Sequence, residues 1–214
     1  MNSFEALAGH GLYVITDGPR PDLLDAAGLA LSGGARLLQY RDKTTDSARR
    51  LQEATALKRL CHAHGVPLII NADIALARAV GADGVHIGPE DVDLTTARHL
   101  LGAEVIIGVS CMASLSHAQA AALGGANYVS FGAFHPSRTK PMAGHAPIEL
   151  LGQSAALGIP RVAIGGITPD NGGLLVAAGA DFLAAISAVF RADDIRGTAK
   201  RFSDLYLPEH GTSA

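Results

Sequence analysis

A short motif that recurs four times limits the fold of this chain more than any other feature of the sequence. Each copy is a Gly-Ala pair followed by one polar residue, between an Ala-rich stretch typical of helix and an apolar run. The copies begin at Gly34, Gly81, Gly125 and Gly179. A glycine suits the left-handed position that ends a helix. The apolar run after it suits a strand that is buried on both faces.

The spacing of the motif predicts how many strands the chain forms. Successive copies are 47, 44 and 54 residues apart, which is room for two β/α units in each period. Apolar runs midway through the periods supply the other strands. The eight predicted strands cover residues 11–17, 37–43, 67–72, 84–88, 105–110, 128–132, 161–166 and 182–187. Their alternation with eight helices predicts a single-domain (β/α)8 TIM barrel over residues 1–214. The alternative, an open doubly wound sheet, has no fourfold period. It also usually has a Gly-rich first turn, which residues 15–22 do not provide.

Composition and charge exclude several classes of protein. The 214 residues are 48% hydrophobic and 17% charged, and the net charge of −3 comes from 17 basic and 20 acidic residues. This balance gives no support for a nucleic-acid or membrane partner, since binding to polyanions requires clustered Lys and Arg. Two cysteines make no disulfide framework, and the first residues do not resemble a secretion signal. We therefore expect a cytoplasmic protein that acts on small molecules.

The third period is the longest, and its extra residues follow the sixth predicted strand. They fall at 135–147, a segment with three prolines and one glycine. Loops after barrel strands form the active face, so this segment is a predicted active-site lid. A tolerated surface insertion is the alternative.

Polar side chains follow the predicted strands where a barrel has its mouth. Gln39, Arg41 and Lys43 alternate along one strand and therefore share a face, and two cations in register favour an anionic ligand. Lys43 alone would suit a solvated strand end equally well. The ends of the other strands carry Asn71, Asp73, His86, Asp91, Ser110, Ser137, Thr139, Lys140, Gly166, Ile186 and Ser187.

These residues form two predicted anion zones. The cationic zone consists of Arg41, Lys43 and Lys140. The second zone offers backbone amides and hydroxyls, as in the phosphate sites of many barrels, and comprises Ser137, Thr139, Gly166 and Ser187. Glycines that only close a tight turn are the alternative for the second zone.

Two carboxylates beside the cationic zone suggest a metal. Asp73 and Asp91 follow neighbouring strands, and Mg²⁺ is usually held by one or two carboxylates together with substrate oxygens. Either residue could instead cap the helix that follows it. His86 fits a substrate contact or a core position, and His135 and His145 are candidate acid–base groups at the lid. Cys111 has no base partner in the sequence, which argues against a catalytic thiol.

Eight segments in order resemble the thiamine-phosphate synthase family. They are LYVITD, QYRDK, IINAD, ADGVHIGPED, IIGVS, FGAFHPSRTK, AIGGI and GADFLAAISAV, and they cover about residues 11 to 190. The resemblance implies a transferase that joins hydroxymethylpyrimidine diphosphate to thiazole phosphate and releases pyrophosphate. It also implies that the pyrimidine diphosphate ionises first and that the thiazole nitrogen captures the cation.

The resemblance assigns residues to each substrate. It implies that the pyrimidine diphosphate binds to Gln39, Arg41, Lys43, Asn71, Ser110 and Lys140, of which Arg41, Lys43, Ser110 and Lys140 assist the chemistry. It implies that the thiazole phosphate binds to Ser137, Thr139, Gly166, Ile186 and Ser187. It implies Asp91 as a Mg²⁺ ligand, with Asp73 as a second candidate.

The chain departs from the family pattern at three positions. Ala72 stands where the family has an Asp that would be a metal ligand, Pro89 replaces a Gln, and Ser137 replaces a Thr. The Ala72 change leaves open a related thiazole tautomerase or a non-catalytic binder of thiamine precursors. The tautomerase branch, however, uses a His where this chain has Ala133. A homodimer is the default expectation for the assembly.

Overall fold

Eight parallel strands form a closed barrel in chain order, which confirms the predicted fold. The computed structural model describes residues 3–136 and 145–207. The strands are β1 Gly11–Ile15, β2 Leu37–Tyr40, β3 Leu68–Asn71, β4 Gly84–Ile87, β5 Ile106–Met112, β6 Tyr128–Phe131, β7 Arg161–Ile164 and β8 Phe182–Ala185. Pairing of β1 with β8 closes the ring, so that no strand has an unpaired edge.

Helices surround the barrel and connect its strands. The described residues form α1 Ser3–Leu7, α2 Leu23–Ser32, α3 Ser47–Ala63, α4 Ile74–Val80, α5 Leu94–Leu101, α6 Leu115–Leu123, α7 Glu149–Gln153, α8 Gly172–Ala177, α9 Ser187–Phe190 and α10 Ile195–Asp204. A short 3-10 helix, Ala155–Leu157, follows α7. Two of these are additions to the eight predicted helices: α1 precedes the first strand, and α9 is a single turn between β8 and α10. None of the described helices is both long and apolar enough to cross a membrane.

The repeated motif ends one helix and fixes the strand before it. All four motif glycines have a positive φ, between 61° and 103°, as predicted for the residue that ends a helix. The backbone N–H of each polar residue then donates to a carbonyl of the preceding odd-numbered strand: Arg36 to Leu12, Asp83 to Leu68, Asn127 to Ile107 and Asp181 to Arg161. The motif therefore joins each pair of strands in the barrel.

Apolar side chains form two separate layers because successive strand residues point to opposite faces. The outer layer lies between the strands and the helices. The inner layer fills the barrel and consists of Leu7, Tyr13, Ile15, Leu37, Ile69, Ile106, Tyr128, Val162, Phe182 and Ala184. Because these side chains fill the interior, a ligand has room only beyond the strand ends.

Most of the predicted lid lies outside the described residues. Of the segment 135–147, the structure describes His135, Pro136 and residues 145–147. The lid and the single-domain boundaries remain predictions.

Candidate active site

A cavity of about 1090 Å³ opens at the carboxyl ends of the strands. It brings together ten residues that the sequence predicted for the site. They are Gln39, Arg41, Lys43, Asn71, Asp73, Asp91, Ser110, Gly166, Ile186 and Ser187. The other three, Ser137, Thr139 and Lys140, lie outside the described residues.

Arg41 and Lys43, the described residues of the cationic zone, lie in a loop, whereas the sequence predicted a strand over 37–43. β2 ends at Tyr40, and beyond it the hydroxyl of buried Thr16 hydrogen-bonds to the backbone of Arg41. Its Oγ1 accepts from the Arg41 N–H at 2.8 Å and donates to the Arg41 carbonyl at 3.1 Å. Asp42 accepts from the Thr44 N–H and pairs with Arg49 at 2.6 Å. Arg41 and Lys43 therefore reach the cavity from a turn that two buried polar groups hold.

Asp73, a predicted metal ligand, already has two partners. Its Oδ1 accepts from the Leu76 N–H and caps α4, and its Oδ2 pairs with Arg50 Nη2 at 2.7 Å. Ala72, which precedes it, has a φ of 62°, and the Asp73 N–H donates to the Asn71 carbonyl at 2.7 Å. This is a γ-turn. The turn brings Asp73 to the cavity wall, but a metal bound to its carboxylate would compete with the Arg50 cation.

Asp91 is the carboxylate better suited to a metal. It is exposed at the cavity mouth, and its Oδ2 accepts from the Gly88 N–H at 2.7 Å, which orients the group. The described residues contain no cluster of three or more His, Cys, Asp or Glu that could enclose a metal. A site with one carboxylate fits Mg²⁺ held mainly by substrate phosphates and water.

Gly166 and Ser187, the described residues of the second predicted anion zone, directly follow β7 and β8. Gly165 and Gly166 have φ of 106° and 63°, and a Cβ on Gly166 would lie 2.4 Å from the Pro136 carbonyl oxygen. Only glycine fits this close approach. Asn171 braces the loop, since its Oδ1 accepts from the Thr168 N–H and its Nδ2 donates to the Gly166 carbonyl. Ser187 begins α9 and lines the same cavity.

Buried titratable groups near the cavity are held in their neutral forms. His86 is the one histidine among the described residues lining the cavity. Burial lowers its pKa from 6.5 to about 4. Burial raises the pKa of the Cys111 thiol to about 12, so this group lacks the thiolate that a nucleophile needs. Neither His135 nor His145 is among the described residues that line the cavity.

The wall also has polar residues that were not predicted, among them two arginines and a threonine. Arg50 comes from α3, Arg191 follows α9, and Thr168 lies in the loop after β7. The search for polar residues at strand ends could have found Thr168, which lies four residues beyond β7. Arg50 lies within α3, a helix with several basic residues, and no sequence signal marks it.

Comparison with known proteins agrees with this architecture. The family model described as thiamine monophosphate synthase matches residues 12–189. A thiamine-phosphate synthase of Chromobacterium violaceum is 52% identical over 196 residues, covering 89% of this chain and 93% of the relative. One from Xanthomonas campestris is 55% identical over 185 residues, covering 86% and 89%.

A solved structure extends the likeness to three dimensions. Thiamine phosphate pyrophosphorylase from Pyrococcus furiosus superimposes with a TM-score of 0.83 at 32% identity, covering 94% of this chain and 96% of the other. Sequence and fold agree along nearly the whole chain, and the chain belongs to the thiamine monophosphate synthase family.

Proposed function

We propose that this protein makes thiamine phosphate by joining hydroxymethylpyrimidine diphosphate to thiazole phosphate, with release of pyrophosphate. Relatives named thiamine-phosphate synthase that share 52% and 55% of its residues support this transferase activity. The observation that carries the proposal is that Arg41 and Lys43 share one cavity with Gly166 and Ser187. Such a cavity offers separate places for a diphosphate and a phosphate.

The cations would assist departure of the diphosphate. The bond between the pyrimidine methylene carbon and the diphosphate oxygen breaks first, and its electron pair leaves with pyrophosphate. Positive groups at the place where this charge develops lower the barrier, and Arg41 and Lys43 are positioned for that role. Ser110 at the end of β5 and Asn71 at the end of β3 would hold the same substrate. Lys140 belongs to this group by the family resemblance.

The thiazole nitrogen would then capture the carbocation with its lone pair. That nitrogen carries no proton to be removed, so the step needs no general base. The backbone at Gly166 and Ile186 and the hydroxyl of Ser187 would bind the thiazole phosphate, together with Ser137 and Thr139. The tautomerase alternative requires a His at the position of Ala133, which lines the cavity wall.

Asp91 would hold a Mg²⁺ ion beside the diphosphate. Bound there, Mg²⁺ would neutralise part of the charge that builds up on the leaving group. The single oriented carboxylate suits an ion whose remaining ligands are phosphate oxygens and water.

The direct test is to mix purified protein with both substrates, with and without Mg²⁺, and to follow pyrophosphate and thiamine phosphate together. We expect equal amounts of both products, only with Mg²⁺ present. Lys43→Ala should lower kcat at least tenfold, whereas Lys200→Ala should not, because Lys200 pairs with Asp204 on the surface of α10. Binding of thiazole phosphate without any turnover would contradict the proposal.

A further inference from the structure

One arginine reaches the cavity from a helix and not from the end of a strand. Arg50 lies in the first turn of α3, and its side chain, 19% exposed, lines the cavity wall. A charged group with this little contact with water usually has a partner or a ligand. Arg50 has a partner, and it also has donors left for a ligand.

Asp73 holds one side of the Arg50 guanidinium. Arg50 Nη2 donates to Asp73 Oδ2 at 2.7 Å, while Asp73 Oδ1 accepts from the Leu76 N–H at 2.9 Å. The carboxylate is thus fixed by α4 and fixes the arginine in turn. Within residues 3–136 and 145–207, Asp73 is the one ion-pair partner of Arg50, and Arg50 Nε is buried without a hydrogen-bond partner. A guanidinium has five N–H donors, so those on Nη1 and the second one on Nη2 remain for an anion.

The stretch of chain that carries Arg50 also carries two other cations of the cavity. Arg41 and Lys43 lie in the loop between β2 and α3, and both line the same cavity. Arg49 Nη2 pairs with Asp42 Oδ2 at 2.6 Å and so joins the start of α3 to this loop. The Asp42 side chain has no exposed surface, so water does not compete for this pair. The loop and the helix therefore hold three cations on one side of the cavity.

The charges on this side of the cavity favour an anion with more than one phosphate. Asp42 and Asp73 are each paired with an arginine. Arg41 and Lys43 have no carboxylate partner in the part of the chain that the structure describes, so their charge is left for a ligand. Two linked phosphate groups match three cations better than a single phosphate does.

We propose that Arg50 binds the terminal phosphate of the pyrimidine diphosphate, as a third cation beside Arg41 and Lys43. This inference rests on the proposed function and adds a residue of α3 to it. The reacting carbon would lie between the two anion zones, above the strand ends, whereas α3 belongs to the outer ring of helices. The phosphate farther from that carbon is therefore the one within reach of the helix. Its oxygens accept from the guanidinium, and the charge of Arg50 stabilises pyrophosphate as it leaves.

Arg50→Gln tests the inference, because glutamine keeps a polar contact with Asp73 and removes the charge. Kd for inorganic pyrophosphate, measured by calorimetry in a buffer that contains Mg²⁺, should rise about tenfold or more. Kd for the pyrimidine monophosphate, which lacks the terminal phosphate, should stay within about twofold of the wild-type value. In steady-state kinetics, KM for the pyrimidine diphosphate should rise about tenfold, and KM for thiazole phosphate should change by less than about twofold.

Lys58→Gln is the matched control, because it also removes the cation of an ion pair made by α3. Lys58 pairs with Asp83 at 2.6 Å and is not among the described residues that line the cavity. This substitution should leave Kd for both compounds unchanged. A folded Arg50→Gln protein with the wild-type Kd for pyrophosphate would overturn the inference. Equal losses of affinity for pyrophosphate and for the monophosphate would overturn it as well.

A double variant, Arg50→Gln with Asp73→Asn, decides the question if Arg50→Gln alone does not fold. It leaves no unpaired carboxylate, and asparagine still caps α4. Loss of a carboxylate by itself favours an anion, so a higher Kd for pyrophosphate reports the missing guanidinium, and the wild-type Kd would overturn the inference. If the wild-type protein makes no thiamine phosphate, the proposed function fails, and the pyrophosphate titrations still decide whether Arg50 binds this anion.

Discussion

Ala72 occupies a backbone conformation that few residues with a Cβ adopt. Its φ of 62° lies in the left-handed region, which costs an ordinary L-residue about 1–2 kcal/mol. Glycine avoids this cost, and Asn and Asp reduce it. The turn at Ala72 brings Asp73 to the cavity wall while Asp73 caps α4. The chain therefore retains a strained turn at the position where the family resemblance leads us to expect a carboxylate.

Relief of this strain is measurable in the stability of the protein. Ala72→Gly should raise the free energy of unfolding by up to about 1 kcal/mol, since glycine adopts positive φ without a Cβ clash. Ala120→Gly is the matched control, because Ala120 is exposed within α6. That substitution should lower stability by about 1 kcal/mol. Urea unfolding compares the two, and equal destabilisation would contradict strain at Ala72.

A carboxylate at position 72 should also add a metal ligand. Ala72→Asp would add a carboxylate to the cavity wall that could join Asp91 as a metal ligand, and two hard oxygen ligands bind Mg²⁺ more tightly than one. The Mg²⁺ concentration that gives half-maximal turnover should fall severalfold. Ala72→Asn provides the control, because it suits the same backbone but adds no charge. Identical Mg²⁺ titrations for all three proteins would show that the missing carboxylate is irrelevant.

His86 makes the stability of the protein sensitive to acid. Its pKa is about 4 in the fold against an ordinary 6.5, so between these values the unfolded chain binds more protons. Stability should therefore decrease as pH falls from 6.5 to 4, by at most about 3 kcal/mol from this residue. His86→Gln should flatten that part of the curve. Thermal unfolding across the range measures both proteins, and parallel curves would count against the assignment.

The repeated motif works as a connector between elements. In three copies the polar side chain also accepts the N–H of a residue in the preceding strand: Asp83 from Leu68, Asn127 from Ile107 and Asp181 from Arg161. In these copies the polar residue binds the preceding strand through both its backbone N–H and its side chain, and so fixes the end of the helix relative to that strand. This explains why the polar residue recurs with the Gly-Ala pair.

Asn127 allows a clean test of this connector. Asn127→Ala should lower the free energy of unfolding by about 1–3 kcal/mol, because the Ile107 N–H at the start of β5 loses its acceptor. Asn127→Asp keeps an acceptor oxygen and should stay close to the wild type, since Arg98 already donates to this side chain. Chemical denaturation gives both values. Equal losses for the two variants would mean that the hydrogen bond is unimportant.

At the scale of the whole molecule, the proposed function requires the cavity to hold two anionic ligands apart. Ser187 lies at the start of α9, and Arg41 and Lys43 lie in the loop after β2. Ser187→Glu should repel a phosphate nearby and raise KM for thiazole phosphate at least tenfold. KM for the pyrimidine diphosphate should change little. Steady-state kinetics with each substrate varied in turn decides the point, and equal losses for both would contradict the two zones.

Sequence reasoning succeeded where a local pattern has a local cause. The barrel followed from the spacing of the motif, and polar residues at strand ends converged on one cavity because parallel strands share a carboxyl end. Contacts between residues that are far apart in the sequence could not be predicted. Tyr13 and Tyr128, whose hydroxyls are in contact, are 115 positions apart. Nothing in the sequence indicates that Gly108 leaves room for the Tyr128 ring. The ion pair between Arg50 and Asp73 depends on how α3 packs beside β3.

The four copies of the motif, which act as joints between pairs of strands, do not make the same hydrogen bonds. This difference should affect the order in which the strands unfold. The copy of the motif before β2 has Arg36, a cation that cannot accept an N–H from β1. The other three joints each carry the additional side-chain bond. Under native conditions, amide hydrogens of β1 should therefore exchange with deuterated solvent before those of β3, β5 and β7. We therefore expect unfolding of the barrel to begin at β1.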